Sequence, residues 1–216
     1  MSGNQAWIAW LLVVTAAALP ATAGTVTLHA SQSDQQPFAG AVVTLQGSAH
    51  PRVAPVSAIV DQINLAFAPD LVVIPVGSTV QFPNSDSVSH QIYSFSPSKR
   101  FQLPLYHGQP YPPVLFDQAG IVTLGCNIHD QMVGYIFVTD ATYFGRTDAS
   151  GTWTVTNVPH GTYHMSLWHP LMRDTVSSLE RDVAVADDNP VTLTVQLAHA
   201  LRRPPLPAAV RSRDQY

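Results

Sequence analysis

The chain has 216 residues and a formal net charge of −4 at pH 7; 46% of its residues are hydrophobic and only 11% are charged. This hydrophobic share excludes a chain that is disordered throughout, and the negative charge argues against a nucleic-acid partner. Eighteen prolines and twelve glycines, set among many valines and threonines, favour strands and turns over helices. One cysteine excludes an intramolecular disulfide framework and a thiolate zinc cluster. The composition predicts an all-β protein.

Residues 1–23 have the organisation of a secretory signal peptide. The apolar run 6–19 is 14 residues long, whereas a helix that spans a membrane needs about 20. Ala21 and Ala23 follow in the A-x-A arrangement of a cleavage site. We expect cleavage after Ala23 and export to the periplasm, with no membrane insertion afterwards. No Lys or Arg precedes the apolar run, so an uncleaved N-terminal anchor is the alternative.

Two strand-like segments follow, at 25–29 and 37–45. Apolar residues alternate at Val26 and Leu28, and again at Val43 and Leu45, which is the period of a strand with one buried face. A two-stranded ribbon is marginally stable in water. These strands therefore need partners elsewhere in the chain.

Residues 58–138 alternate short strand patterns with turn signals. Strands are expected within 71–82 (two of them, joined at a Pro-Val-Gly turn), 91–95, 121–124 and 133–139. Short strands at this spacing indicate a β-sandwich or barrel.

The turn between the last two of these strands carries the pattern C-x2-H-x2-M, formed by Cys126, His129 and Met132. His90 lies at another strand boundary, 36 residues before the cysteine. Two imidazoles, a thiolate and a thioether are the ligand set of a blue-copper site, with a His₂Cys plane and a weak axial Met. Three ligands on one tight loop would keep the geometry nearly constant during electron transfer. The pattern therefore predicts one copper ion.

Other interpretations of these residues remain open. Cys126 could be a small buried hydrophobic residue and Met132 part of the core. An unpaired cysteine in an exported protein nevertheless calls for an explanation, and His and Met at the required offsets supply one. Zinc is a poorer match, because a thioether is a poor zinc ligand and Cu²⁺ binds more tightly in general.

These residues resemble those of the small cupredoxins, most closely the amicyanin and pseudoazurin type, over residues 58–140. The C-x2-H-x2-M loop has the amicyanin spacing, and the Asn84-x5-His90 interval is similar as well. The resemblance implies a Greek-key β-sandwich. It also implies a type 1 copper ion whose ligands are His90, Cys126, His129 and Met132.

Three positions depart from the cupredoxin pattern. Gln91 stands where an Asn usually follows the first His ligand, Ile128 replaces a usual Pro, and Gly125 replaces the aromatic residue that commonly precedes the Cys. We expect these changes to affect the hydrogen bonds around the thiolate, and so the reduction potential, but not the ligation.

Residues 139–199 contain further strand patterns, and the stretch 147–167 resembles the carboxypeptidase regulatory-like, transthyretin-type fold of seven strands. Because 139–199 shows fewer strands than that fold requires, we expect residues 24–46 to complete it. The predicted divisions are a signal peptide (1–23), N-terminal strands and linker (24–57), a cupredoxin domain (58–138), a second β-sandwich (139–199) and a disordered Pro/Arg tail (200–216). The alternative places residues 24–46 at an edge of the cupredoxin domain.

Three further histidines, His160, His164 and His169, match no ligand spacing, and we expect them to be solvated or at a core edge. The sequence has no H-x-H, G-x-S-x-G or H-E-x-x-H motif and no evident catalytic pair. We therefore expect a periplasmic one-electron carrier and not an enzyme, exchanging electrons with redox partner proteins through His129. The alternatives are a copper-delivery protein, or a surface-binding module that depends on the second sandwich.

Overall fold

The computed structural model describes residues 23–47, 53–108, 110–187 and 189–202. Residues 1–22 of the predicted signal peptide and the tail beyond residue 202 lie outside them. The described residues are strands and loops apart from one short 3₁₀ helix, Val176–Ser178, so the all-β expectation is confirmed. None of them belongs to a helix with the length and apolarity needed to traverse a bilayer.

The strands are, in chain order, β1 (Ala23–Ser31), β2 (Val42–Gly47), β3 (Ser57–Ile59), β4 (Asp61–Ile63), β5 (Ala66–Ala68), β6 (Leu71–Pro75), β7 (Ser78–Gln81), β8 (His90–Ser96), β9 (Lys99–Tyr106), β10 (Val114–Phe116), β11 (Gly120–Gly125), β12 (Val133–Thr139), β13 (Tyr143–Arg146), β14 (Thr152–Pro159), β15 (Gly161–Trp168), β16 (Arg181–Val185) and β17 (Val191–Gln196).

Strands β3–β12 form one sandwich, called here the metal sandwich because His90, Cys126, His129 and Met132, the expected metal ligands, lie on its strands and loops. Its larger sheet has the order β6-β12-β11-β8-β9 and its smaller sheet the order β10-β7-β3, with β4 and β5 paired as a separate ribbon. Both sheets contribute side chains to a single apolar core, for example Val80 and Phe116 from the smaller sheet and Ile92, Val122 and Ile136 from the larger. Burial of these apolar faces stabilises the sandwich.

The remaining strands form the second sandwich, with sheets β14-β1-β17 and β13-β2-β15-β16. Strand β1 pairs with β14 and β17, and β2 pairs with β13 and β15, so the N-terminal strands hydrogen-bond to C-terminal ones. Val26, Leu28, Val43 and Leu45 are fully buried in the core of this sandwich. The chain therefore enters the second sandwich, leaves it to build the metal sandwich, and returns. Whether the two halves fold as separate domains stays a prediction.

An aromatic contact joins the two sandwiches. The Trp168 ring, at the end of β15, lies 5.7 Å from the Tyr135 ring and 5.5 Å from the Phe137 ring, both on β12. The Arg146 guanidinium also donates to the Leu71 carbonyl oxygen at 3.4 Å. These contacts fix the outer face of β12 against the second sandwich.

Two details differ from the sequence-based expectation. The segment expected as a strand from residue 37 forms a turn first, with Gly40 at φ 74°, and β2 begins only at Val42. The eight-residue strand β9 was not predicted, because it contains Pro104 and several polar residues. As the last strand of its sheet, β9 leaves one backbone edge unpaired, and an edge strand tolerates proline.

Candidate metal centre

Three side chains converge at one end of the metal sandwich. The Nδ1 atoms of His90 and His129 are 3.1 Å apart. The Cys126 Sγ atom lies 4.0 Å from the first of these nitrogens and 3.8 Å from the second. Within the part of the chain that the structure describes, this is the single group of three or more His, Cys, Asp or Glu residues arranged to hold a metal ion.

Neighbouring strands bring these residues together. His90 is the first residue of β8, and Cys126 follows the last residue of β11, the strand that pairs with β8. The loop then turns back, with the Met132 N–H donating to the His129 carbonyl oxygen at 2.9 Å, and β12 begins at the next residue. The pairing of β8 with β11 therefore brings His90 to the loop that carries Cys126, His129 and Met132, although His90 lies 36 residues before Cys126.

The site is closed on one side and open on the other. His90, Cys126 and Met132 are buried, whereas His129 is partly exposed. The pKa of His129 is lowered, first because burial disfavours the imidazolium and second because His90 is close. Its ring therefore stays neutral, with a free lone pair, to lower pH than an ordinary histidine.

The Tyr93 ring occupies the space that a side chain at position 125, just before Cys126, would need. A Cβ atom on Gly125 would lie 2.7 Å from the ring carbon Cζ of Tyr93, which pairs with it across β8 and β11. The Tyr93 ring also packs on Phe95 with their centroids 5.1 Å apart. The aromatic ring that covers Gly125 thus comes from the neighbouring strand.

Gln91 also has a defined partner. Its Oε1 atom accepts a hydrogen bond from Nδ2 of Asn127 at 2.9 Å. Gln91 follows His90 and Asn127 follows Cys126, so this bond ties the two ligand-bearing segments together. Ile128, at the position of the usual Pro, is 54% exposed at the loop tip.

One contact of the site was missed by sequence reasoning. The carboxylate of Asp86 lies 3.0 Å from Nε2 of His90, and the pKa of Asp86 is lowered, mainly by the hydrogen bond from the Leu65 backbone N–H. The sequence pattern that could have indicated this contact is an aspartate four residues before His90, in a loop rich in serine and asparagine.

Among the described histidines, neither His164 nor His169 joins this group. His164 is exposed and faces Asp182 at 3.1 Å and Glu180 at 3.8 Å. The Nδ1 atom of His169 accepts from the Leu171 N–H, and the ring stands edge-on to Phe38. His164 is therefore solvated and His169 lies at a core edge.

Comparisons with known sequences add a partial match. A family model described as polysaccharide lyase family 4, domain II, matches residues 117–193, which is less than half of the chain. It is a different family from the carboxypeptidase regulatory-like one, so that resemblance stays a prediction. No curated protein matches the chain.

The solved structures similar to the chain include cupredoxins. A purple cupredoxin from Nitrosopumilus maritimus is 27% identical over 38% of this chain and 99% of its own, with a TM-score of 0.35. A copper-containing nitrite reductase from Thermus scotoductus SA-01 is 26% identical over 51% of this chain, with a TM-score of 0.36, and the match spans only 28% of the enzyme. An amicyanin variant is 18% identical over 44% of this chain and 99% of its own, with a TM-score of 0.35.

The chemistry of the donor set fits a copper ion. Two imidazole nitrogens and a thiol sulfur face each other. Met132, whose thioether side chain is buried, lies on the same loop as Cys126 and His129. Soft sulfur ligands favour copper over magnesium, calcium or manganese, and imidazole suits copper in both of its oxidation states.

Proposed function

We propose that this protein is a type 1 copper protein that carries single electrons, with His90, Cys126, His129 and Met132 as the copper ligands. The observation that supports this most strongly is the convergence of Nδ1 of His90, Nδ1 of His129 and Sγ of Cys126 within 4.8 Å of one another. Copper, when bound, would supply the Cu(I)/Cu(II) couple.

The protein's own part is to hold these donors still. His90 and Cys126 are fixed at the ends of paired strands, and the bond between Gln91 and Asn127 links their segments. A donor set that barely moves between oxidation states lowers the reorganisation that accompanies each electron transfer. Burial of His90, Cys126 and Met132 also excludes water from that side of the site.

We further propose that electrons enter and leave through His129. It is the ligand with surface exposure; Ile128, next to it in the chain, is 54% exposed, and Val88, two residues before His90, is 41% exposed. An apolar rim around an exposed imidazole suits brief contact with a redox partner protein, since apolar surface is desolvated easily on docking. The protein would work in the periplasm after cleavage at Ala23, and the second sandwich would stiffen the metal sandwich or assist docking.

The test is copper reconstitution of the purified protein. We expect an intense visible thiolate-to-copper band with one equivalent of Cu(II), and a reversible one-electron wave by voltammetry. Weak absorption with rapid loss of copper to a mild chelator would instead indicate a delivery protein. Absence of stoichiometric copper binding would contradict the proposal.

A further inference from the structure

The loop before β8 brings a carboxylate to the far side of a proposed ligand. Oδ2 of Asp86 is 3.0 Å from Nε2 of His90, the ring nitrogen opposite the one that faces Cys126. The His90 side chain has no exposure and that of Asp86 only 11%. The contact is therefore largely shielded from water, where a charge-assisted hydrogen bond is strongest.

The carboxylate itself is held in place by the backbone. Oδ2 accepts a second hydrogen bond from the Leu65 N–H at 2.8 Å, and Oδ1 accepts one from the Ser87 N–H at 2.9 Å. The Asp86 N–H in turn donates to Oδ1 of Asn84 at 3.0 Å. With both oxygens committed, the side chain cannot rotate away from His90 without leaving backbone donors unpaired.

This geometry decides which ring nitrogen of His90 carries the proton. A carboxylate only accepts hydrogen bonds, so Nε2 must be the donor, and Nδ1 keeps its lone pair. That lone pair points toward Sγ of Cys126 and Nδ1 of His129. A carboxylate behind a metal-binding imidazole also makes the imidazole a stronger donor.

We propose that Asp86 is a positioning residue, which fixes the tautomer and ring orientation of His90 and strengthens it as a ligand for Cu(II) over Cu(I). The part that concerns copper rests on the proposed function, whereas the part that concerns the imidazole does not. Because the stronger donor favours the oxidised ion, Asp86 lowers the reduction potential of the site.

Two variants separate the effects of Asp86, and a third serves as the control. Asp86→Ala removes the acceptor and the charge, whereas Asp86→Asn removes the charge and keeps one oxygen for His90 and Leu65. Asp61→Ala is the matched control, because Asp61 holds the same loop through the Ser85 N–H at 3.1 Å and the Ser85 hydroxyl at 2.7 Å. It removes one carboxylate and two loop contacts without touching His90.

The first measurement uses metal-free protein and nitrogen-15 NMR of the histidine rings. We expect Nε2 of His90 to be protonated, with a slowly exchanging proton, in the wild type and in Asp61→Ala. In Asp86→Ala we expect rapid exchange of that proton or a mixture of tautomers. A wild-type ring protonated at Nδ1, or an Asp86→Ala spectrum like that of the control, would overturn the proposal whether or not copper binds.

The second measurement is the affinity for Cu(II) and Cu(I) and the reduction potential of each variant. Loss of such an outer partner costs about 10–100-fold in metal affinity. We expect Asp86→Ala to lose that much for Cu(II) and about tenfold less for Cu(I), which raises the potential by about 59 mV. Asp86→Asn should give a smaller rise, and it serves as the test if the alanine variant does not fold. Equal potentials in Asp86→Asn, the control and the wild type would refute the role of Asp86 in tuning copper.

Discussion

The metal sandwich and the second sandwich are both built from two β-sheets, yet their interiors differ. The metal sandwich buries Gln62, Asn84 and His90, whereas the buried polar residues described in the strands and turns of the second sandwich are Thr44 and Thr147. Buried polar groups cost free energy unless they are hydrogen-bonded. In the metal sandwich, Gln62, Asn84 and His90 each have a hydrogen-bond partner.

The polar interior of the metal sandwich lies beneath the loop that precedes His90. Gln62 donates to the Tyr106 hydroxyl at 2.6 Å, and Nδ2 of Asn84 donates to the carbonyl oxygens of Val88 and Tyr106 at 2.9 and 3.0 Å. Burial raises the pKa of Tyr106 to about 12, so its hydroxyl stays protonated and can donate in turn to the Phe82 carbonyl oxygen. These hydrogen bonds of Gln62, Asn84 and Tyr106 support the loop that leads to His90.

The largest contrast is expected from removal of the thiolate. Cys126→Ser should abolish the visible copper band, because an alcohol cannot replace a thiolate as a copper ligand. Copper affinity should fall by more than about 100-fold, the upper limit for losing a residue that only hydrogen-bonds to a ligand. His164→Asn, in the second sandwich, should change neither. The measurement is absorption during a copper titration. A native spectrum in Cys126→Ser would show that the ligand assignment is wrong.

The role of the N-terminal strands can be tested in the core of the second sandwich. Leu28 on β1 is fully buried, so Leu28→Ala should reduce the free energy of unfolding by about 2–5 kcal/mol. His29→Ala, on the exposed face of the same strand, should change it by less than about 0.5 kcal/mol. Denaturant unfolding followed by Trp153 and Trp168 fluorescence measures both. Equal effects of the two substitutions would contradict the burial of β1.

The axial ligand offers a matched pair of methionines. Met132→Leu should keep copper bound but raise the reduction potential, by about 59 mV if the ratio of Cu(I) to Cu(II) affinity rises tenfold. Met165→Leu makes the same chemical change in the buried core of the second sandwich and should leave the potential unaltered. Voltammetry of the two copper-loaded variants decides. An unchanged potential in Met132→Leu would remove Met132 from the ligand set.

The packing of Tyr93 on Gly125 predicts a smaller effect. Gly125→Ala should destabilise the protein by about 1 kcal/mol and shift the copper band, because its Cβ would displace the Tyr93 ring. The double variant with Tyr93→Leu should recover part of the loss, since the obstructing ring is gone. Thermal unfolding and the visible spectrum of both variants test this. Strict additivity of the two changes would refute the steric explanation.

A pH effect of still smaller size is expected in the second sandwich. The pKa of His169 is lowered, first by burial and then by the nearby Arg146. As the pH falls below about 6.5, His169 binds a proton in the unfolded chain while it is still neutral in the folded chain. The free energy of unfolding therefore decreases as the pH drops below that value. His169→Gln should weaken this fall, which unfolding curves at about pH 7.5 and about pH 5.5 would show. An identical fall in both proteins would exclude His169 as a source.

Much of the fold followed from local patterns. Strand β12 has the expected bounds, because its alternating apolar residues are flanked by clear turn signals. Strand β9 was not predicted, because Pro104 and its charged residues are typical of an edge strand and not of a buried one. An edge strand can be recognised only when the order of the strands in the sheet is known. The spacing of C-x2-H-x2-M singled out the residues that the structure brings together, although copper ligation itself stays a prediction.

The contacts around the site could not be predicted in the same way. Tyr93 lies over Gly125 because β8 and β11 are neighbours, and Asp86 reaches His90 because the loop folds back beneath β8. Both contacts depend on tertiary arrangement. The sequence showed only a missing aromatic residue and an ordinary aspartate.

The most direct test of the account is X-ray absorption at the copper edge of the reconstituted protein, in the oxidised and the reduced state. We predict one short sulfur ligand and two nitrogen ligands in both states, with little change on reduction, because His90, His129 and Cys126 already face one another without copper. Coordination by nitrogen and oxygen alone, or a change of ligand set on reduction, would contradict the assignment of a one-electron carrier.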